Sequence, residues 1–194
     1  MVELIPESYV ARLDLDAIFG RRAPLQVDLG CGDGSFLALL AREQPDCNFL
    51  GIERMAGRVH SSTRQALDLP NVRVLRVETS YAVRYLLPAH SVAAFHLLFP
   101  DPWPKRRHQR RRVVTSDFLD AISITLIEGG VFRVVTDQFD YFQQIRSLAE
   151  KSSALQIGRP NGHDKLPPST FERKFTIAGA PIYRLELRKV SPVR

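Results

Sequence analysis

The stretch Leu25-Gln26-Val27-Asp28-Leu29-Gly30-Cys31-Gly32-Asp33-Gly34-Ser35 carries the strongest fold signal in the 194-residue chain. Its first five residues predict a short buried strand, and three glycines in the next five positions predict a tight turn. Ser35 can cap a following helix, whose apolar residues recur with helical spacing from Phe36 to Leu40. A strand, a glycine turn and a helix in this order are typical of the first unit of a parallel α/β sheet.

The same alternation continues along the chain. Further strands are predicted at 48–52, 72–77, 92–99 and 131–136, with helices at about 58–69, 81–87, 116–127 and 139–151. This spacing implies a mostly parallel sheet with right-handed crossovers and helices on both faces. Residues 1–22 are expected to be an irregular or weakly helical lead-in, and 158–170 a loop. The alternating segments 175–177 and 182–189 predict a terminal antiparallel hairpin over 175–189. We expect one domain spanning 1–194.

Composition and charge narrow the class of protein. The chain is 44% hydrophobic and 25% charged, which is ordinary for a globular protein. No stretch predicts a membrane span, the N-terminus has no signal-peptide pattern, and two cysteines are too few for a disulfide scaffold or structural zinc site. We therefore expect a cytoplasmic protein with no membrane association and no metal site. The formal net charge of +6 suggests a polyanionic partner.

Acidic residues follow the predicted strands. Glu53, Glu78, Asp101 and Asp137 each come just after a strand, and Asp28 lies at the end of the first one. In open α/β sheets, ligands bind at the edge formed by the carboxyl ends of the strands. Any one of these acids could be a solvated turn residue, but their shared position predicts a ligand site.

The glycine turn and the second acid suggest a nucleoside. Gly30 and Gly32 allow the backbone to approach a ligand closely. Glu53 lies 25 residues beyond Asp28, at the end of the second strand, where a carboxylate can accept both hydroxyls of a ribose. A turn without any ligand is the alternative interpretation.

The glycine pattern and the nearby acids favour S-adenosylmethionine over a dinucleotide as the ligand. The third glycine of the dinucleotide fingerprint would fall at Ser35. Asp28 and Asp33 suit the cationic sulfonium and amino groups of S-adenosylmethionine better than the phosphates of NAD. Glu78, after the third strand, could accept the adenine amino group.

A rigid acidic and aromatic loop follows the fourth strand. It reads Phe99-Pro100-Asp101-Pro102-Trp103-Pro104, and its three prolines fix φ and exclude helix. Trp103 could stack on a base or pack under the loop. Six of the eight residues at 105–112 are cationic, which favours binding to an RNA backbone over a merely solvated loop. The predicted RNA-binding cations include Lys105, Arg106, Arg107 and Arg110.

These motifs resemble the bacterial tRNA (guanine-N7-)-methyltransferase family. The resemblance covers nearly the whole chain, and its most specific element is the proline–acid–proline–Trp loop with basic residues after it. It rests on Asp28-Leu29-Gly30-x-Gly32-x-Gly34, Asn48–Glu53, Phe99–Lys105, Thr136-Asp137, Phe171-Glu172 and Gly179-x-Pro181-Ile182-Tyr183.

The resemblance implies a class I, Rossmann-like methyltransferase fold with a seven-stranded sheet. It also implies S-adenosylmethionine as methyl donor, and N7 of a guanosine in the tRNA variable loop as acceptor. By position, the implied donor-site residues are Asp28, Glu53, Glu78 and Asp101, and Asp101 is also the implied catalytic residue. The implied tRNA-site residues are Lys105, Asp137, Ser169, Thr170, Phe171 and Glu172.

The chain departs from the family pattern at three places. Ser169-Thr170 stands where the family typically has Thr-Lys, Glu78-Thr79 where it has Asp-Ala, and Asp28 where it commonly has Glu.

The alternative functions are a methyltransferase of the same fold acting on another RNA or a small molecule, and a non-catalytic RNA-binding protein on this fold. A nicotinamide-dependent oxidoreductase is a third. The expected oligomeric state is monomer or homodimer.

Overall fold

The computed structural model describes residues 2–158 and 166–190. In this part of the chain, all strands belong to one sheet. Most of the strands contain apolar residues at alternating positions. The strands are β1 Glu3–Leu4, β2 Leu25–Leu29, β3 Asn48–Glu53, β4 Val72–Arg76, β5 Val92–Leu98, β6 Leu126–Thr136, β7 Leu155–Ile157 and β8 Tyr183–Lys189.

The strand order is β1-β4-β3-β2-β5-β6-β8-β7. Strands β1 to β6 pair in parallel, whereas β8 is antiparallel to both β6 and β7. This topology confirms the predicted mostly parallel sheet with antiparallel strands at its C-terminal edge. The described sheet has eight strands instead of seven because Glu3 and Leu4 pair with Val74 and Leu75.

Helices cover both faces of the sheet. They are α1 Leu15–Phe19, α2 Ser35–Glu43, α3 Ala56–Gln65, α4 Thr79–Tyr81, α5 Ser116–Thr125, α6 Phe139–Glu150 and α7 Thr170–Ile177, with a π-helical turn at Ala82–Leu86 and a 3₁₀ helix at Arg106–Arg111. Phe49 packs with α2 and α3, whereas its neighbour Leu50 belongs to the cluster under α5 and α6. This alternation gives the sheet one core on each face. In the described ranges, no helix combines the length and apolar character that crossing a membrane would need.

The residues that cap α2 and α5 each lie directly before the helix. Gly34, with φ of 80°, is the N-cap of α2, while Ser35 is its first residue and donates a hydrogen bond to Asp33 Oδ1. Thr115 caps α5, because its hydroxyl accepts from the Phe118 backbone amide. The cap of α2 therefore lies one residue before the predicted Ser35, whereas α5 begins at the predicted residue 116.

The predicted hairpin over 175–189 is wrong in its first strand. Phe175–Ile177 lies in α7, which begins after Ser169 because the Ser169 hydroxyl accepts from the Glu172 backbone amide. The antiparallel partners of β8 are instead β6 and β7, which is Leu155–Ile157. The lead-in is also more ordered than expected, since it contains β1 and α1. Most of the predicted loop at 158–170, namely 159–165, lies outside the described residues.

Candidate active site

A cleft of about 670 Å³ lies at the carboxyl ends of the central parallel strands. Four residues that the sequence singled out line it: Gly30 after β2, Glu53 at the end of β3, Glu78 after β4 and Asp101 after β5. Since β4, β3, β2 and β5 are neighbours in the sheet, their ends bring these distant residues to one edge. The cleft therefore joins the predicted nucleoside residues to the acid of the proline-rich loop.

Glu53 is a buried carboxylate with a fixed orientation. Its Oε1 accepts hydrogen bonds from the backbone amides of Arg54 and Met55, at 2.8 and 2.9 Å. Its Oε2 accepts from the Gly32 amide at 3.2 Å and lies 3.9 Å from Arg58 Nη1. These contacts hold the carboxylate against the glycine turn, with room for further donors from the cleft.

Glu78 is oriented by the helix that it caps. Its two carboxylate oxygens accept from the amides of Ser80 and Tyr81, at 2.9 and 2.8 Å. The side chain is exposed and lines the cleft, so it can still accept a hydrogen bond from a ligand.

Asp28 and Gly32 do not line the cleft in the way that Gly30 does. Asp28 is only 3% exposed, and burial raises its pKa to about 8, assisted by the nearby negative charges of Glu53 and Asp33. Gly32 contributes its backbone amide to Glu53. Asp28 thus lies beneath the donor turn, which we define as residues 30–34.

The loop after β5 has an unusual backbone. Phe99 and Trp103 have positive φ values of 49° and 41°, a region that non-glycine residues seldom occupy. The Phe99 amide donates to Val135 O at 2.7 Å, which fixes the start of the loop on β6. Such conformations cost about 1–3 kcal/mol each and concentrate at functional sites. The loop therefore presents the exposed Asp101 on a constrained backbone.

The buried Arg112 side chain holds this loop against α6. It is 3% exposed, and its Nε donates to Pro102 O at 2.7 Å. Its other nitrogens donate to Gln144 and Asp140 on α6, and its guanidinium lies 4.6 Å from the centre of the Tyr141 ring. The sequence grouped Arg112 with the phosphate-binding cations, and that interpretation is wrong because the side chain is buried.

Trp103 packs within the loop and also lines the cleft. The Arg111 guanidinium lies 4.9 Å from the centre of its ring, and the His108 ring meets it edge-on at 5.9 Å. The half-buried indole therefore supports the loop from the cleft side.

The predicted RNA-binding cations are exposed. Lys105, Arg106, Arg107 and Arg110 all lie on or beside the 3₁₀ helix. None of them forms an ion pair with residues 2–158 or 166–190. They form a positive surface next to Asp101, and we call these four residues the basic patch.

The predicted acceptor residues lie on two elements. Asp137 follows β6 and accepts from the Gln138 side chain at 2.6 Å. The segment 169–172, which we call the acceptor segment, forms the start of α7. Ser169 is buried as its cap, Phe171 is 48% exposed, and the Glu172 carboxylate pairs with Arg184. None of these residues contributes to the wall of the 670 Å³ cleft.

Several cleft residues were missed by the sequence analysis. Arg54 and Met55 line the cleft directly after Glu53, and Arg58 lies one helical turn further along. Arg111 also lines the cleft. The position of Arg54 and Met55 immediately beyond a strand end was a usable signal, whereas Arg111 was indistinguishable from its neighbouring arginines.

Comparison with known proteins identifies the family. A family model described as a putative methyltransferase matches residues 22–185. A tRNA (guanine-N(7)-)-methyltransferase of Leifsonia xyli subsp. xyli is 38% identical over 91% of this chain and 81% of the relative. Proteins with the same name from Halorhodospira halophila and Thermotoga maritima are 35% and 34% identical, over 90% and 97% of this chain and 76% and 61% of those relatives.

Solved structures match the fold. The aminoglycoside resistance methyltransferase NpmB1 aligns with a TM-score of 0.57 at 20% identity, over 91% of this chain and 92% of that one. The 16S rRNA methyltransferase KamB aligns with a TM-score of 0.63 at 14% identity, over 93% and 95%. These values support a shared methyltransferase fold, and the matches to the tRNA enzymes extend over most of the sequence. The chain therefore belongs to the putative methyltransferase family whose family model it matches. Within that family, it belongs to the tRNA (guanine-N(7)-)-methyltransferases.

Proposed function

We propose that this protein transfers a methyl group from S-adenosylmethionine to N7 of a guanosine in the variable loop of tRNA. The observation that carries the proposal is the single cleft in which Gly30, Glu53, Glu78 and Asp101 meet beside the basic patch. The activity named for the relatives, which are 34–38% identical over at least 90% of this chain, agrees with that geometry. A tRNA-modifying enzyme is expected to work in the cytoplasm.

The cleft suits the adenosine part of the donor. Glu53 would accept the ribose hydroxyls, and Glu78 the adenine amino group. Gly30 has a φ of 78°, and a Cβ there would meet no protein atom within 4 Å, so a side chain would enter ligand space. When bound, S-adenosylmethionine supplies an electrophilic methyl group carried on a sulfonium. The carboxylates around the cleft favour such a cation.

The chain needs no general base for this reaction. Guanine N7 carries an in-plane lone pair and no proton, so the protein has only to align the base and stabilise the charge that develops on it. Asp101 is the acid best placed for this, because it lines the cleft on a constrained loop. The methylated base is cationic, and a nearby carboxylate lowers the energy of that charge.

The basic patch would hold the RNA backbone while the cleft holds the base. Contacts between cations and phosphates supply affinity with little sequence information. Lys105 begins this patch four residues after Asp101, so within the patch it is the cation nearest to that acid in the chain. The choice of base then depends on Asp101, Asp137 and the acceptor segment.

The test is methylation of unmodified tRNA with a methyl-labelled donor, followed by nuclease digestion and mass spectrometry of the fragments. We expect one 7-methylguanosine, located in the variable loop. The same reaction with 16S rRNA in place of tRNA tests for the other RNA methyltransferases that share the fold. Label in rRNA alone, label at another atom of tRNA, or donor binding without any transfer would each contradict the proposal.

A further inference from the structure

A hydrogen bond joins the donor turn to the acceptor segment. Ser35 is the first residue of α2, directly after the donor turn, and Thr170 is the first residue of α7. Their hydroxyl oxygens are 2.7 Å apart, although 135 positions separate them in the chain. This contact links the two regions to which the donor and the acceptor were assigned.

The direction of this hydrogen bond follows from the neighbouring carboxylate. Ser35 Oγ also lies 2.7 Å from Asp33 Oδ1, and a carboxylate accepts the single hydroxyl proton of Ser35. The Thr170 hydroxyl must therefore be the donor to Ser35 Oγ. The result is a chain of hydrogen bonds from Thr170 through Ser35 to Asp33, and such chains strengthen their members.

Aromatic contacts also pack α7 against the start of the loop after β5. The Phe175 and Phe171 rings lie 5.1 and 6.2 Å from the ring of Phe99, which has the positive φ at the start of that loop. Helix α7 thus touches the base of the loop that carries Asp101 through its rings, and the residue next to the donor turn through Thr170.

We propose that Ser35 and Thr170 are positioning residues that couple binding of the donor to binding of tRNA. A donor that fixes the turn also fixes Ser35, which then holds the first turn of α7 and with it the acceptor segment. Coupling between two binding sites is reciprocal, so tRNA should tighten donor binding by the same factor. The inference rests on the proposed function, because it takes the donor to bind at the turn and tRNA at the acceptor segment.

The test is the affinity for unmodified tRNA, measured by fluorescence anisotropy with and without saturating S-adenosylhomocysteine. The ratio of the two dissociation constants is the coupling factor. We expect wild type to bind tRNA more tightly with S-adenosylhomocysteine. Ser35→Ala and Thr170→Val should each reduce the coupling factor about two- to tenfold, the range for one neutral hydrogen bond. The double variant should lose no more than either single variant, since both remove the same hydrogen bond.

Three controls make the result specific. Thr176→Val removes another hydroxyl from α7, one that donates only to Glu172 O of its own helix, and should keep the wild-type coupling factor. Thr170→Ser keeps the hydroxyl and should therefore show the wild-type coupling factor. Circular dichroism melting checks that each variant is folded. A coupling factor of one in wild type, or an unchanged factor in both single variants, would overturn the inference. Wild type that binds neither S-adenosylhomocysteine nor tRNA would instead overturn the proposed function.

Discussion

Asp101 is the residue on which the proposed chemistry depends most. It is exposed, and no hydrogen bond or ion pair to its side chain occurs in the described ranges, so its removal leaves no buried group unsatisfied. We expect Asp101→Ala to reduce kcat by about 100-fold or more, as for other groups that stabilise developing charge. Unfolding midpoints should change little, because exposed substitutions usually stay within about 0.5 kcal/mol.

The comparison that isolates charge is Asp101→Asn, which keeps the size of the side chain and removes its charge. Single-turnover methylation of tRNA by the three proteins measures the effect on the chemical step. If Asp101→Asn works as fast as wild type, the role of Asp101 is positional. If Asp101→Ala also retains wild-type turnover, Asp101 is not catalytic.

Asp28 should make stability depend on pH. Its pKa is about 8 in the folded protein, chiefly because of burial, against an ordinary value of 3.8. Between these two values the folded state binds more protons than the unfolded state, so stability falls as the pH rises from about 4 to 8. Asp28→Asn removes this pH dependence and should therefore gain stability relative to wild type as the pH rises.

The gain should be on the order of 1 kcal/mol for each pH unit in that window. Urea unfolding at pH 5 and pH 8, without any donor, measures it. Asp120→Asn changes an exposed carboxyl on α5 and serves as the control, with a difference from wild type that should not vary with pH. An equal difference between Asp28→Asn and wild type at both pH values would contradict the prediction.

At the scale of elements, Arg112 joins the proline-rich loop after β5 to α6. Its replacement removes the hydrogen bond to Pro102 O, those to Gln144 and Asp140, and the cation–π interaction with Tyr141. We expect Arg112→Ala to lower the free energy of unfolding by about 2–4 kcal/mol, which is usual when a buried hydrogen-bond network is broken. It should also reduce kcat, since the loop that carries Asp101 is no longer anchored.

The matched control for Arg112 is Arg110→Ala. Arg110 is an exposed arginine two residues away, and its replacement should cost less than about 0.5 kcal/mol. Chemical denaturation of the two variants in parallel gives the comparison. Equal stability of the two variants would show that the anchoring interactions contribute nothing.

At the scale of the whole molecule, exposed cations lie at both the carboxyl and the amino ends of the parallel strands. The basic patch lies at the edge formed by the carboxyl ends of the strands, next to the cleft. Replacing Arg106, Arg107 and Arg110 together by Ala should weaken tRNA binding and flatten its dependence on salt. The slope of log K against log salt should fall by about 0.7–0.9 for each phosphate that the variant no longer neutralises.

A triple variant at the opposite edge provides the control. Arg22 precedes β2, while Arg42 and Arg64 lie in the last turns of α2 and α3, which run back towards the amino ends of the strands. All three are exposed, so their replacement removes the same charge from the far side of the molecule. We expect this variant to keep nearly the wild-type slope. Equal slopes for the two triple variants would mean that net charge, and not the basic patch, governs binding.

The amino-acid sequence determined the parallel core of the fold because that information is local. Apolar residues in Leu25–Leu29 and Val92–Leu98, with glycine or proline close to their ends, predict strands from the local sequence. Acids that follow parallel strands must meet at one edge of a parallel sheet, so the cleft containing Glu53, Glu78 and Asp101 could be foreseen.

Only the tertiary structure decided features that depend on distant partners. Glu3–Leu4 is a strand because β4 offers it an edge, and nothing in two residues signals this. Phe175–Ile177 suits either a strand or a helix, and the Ser169 cap and the ring of Phe99 select the helix. Arg112 has the same chemistry as its exposed neighbours and is buried only because α6 supplies Asp140 and Gln144. Local patterns specify elements, but burial and partnership are set by packing between segments far apart in the chain.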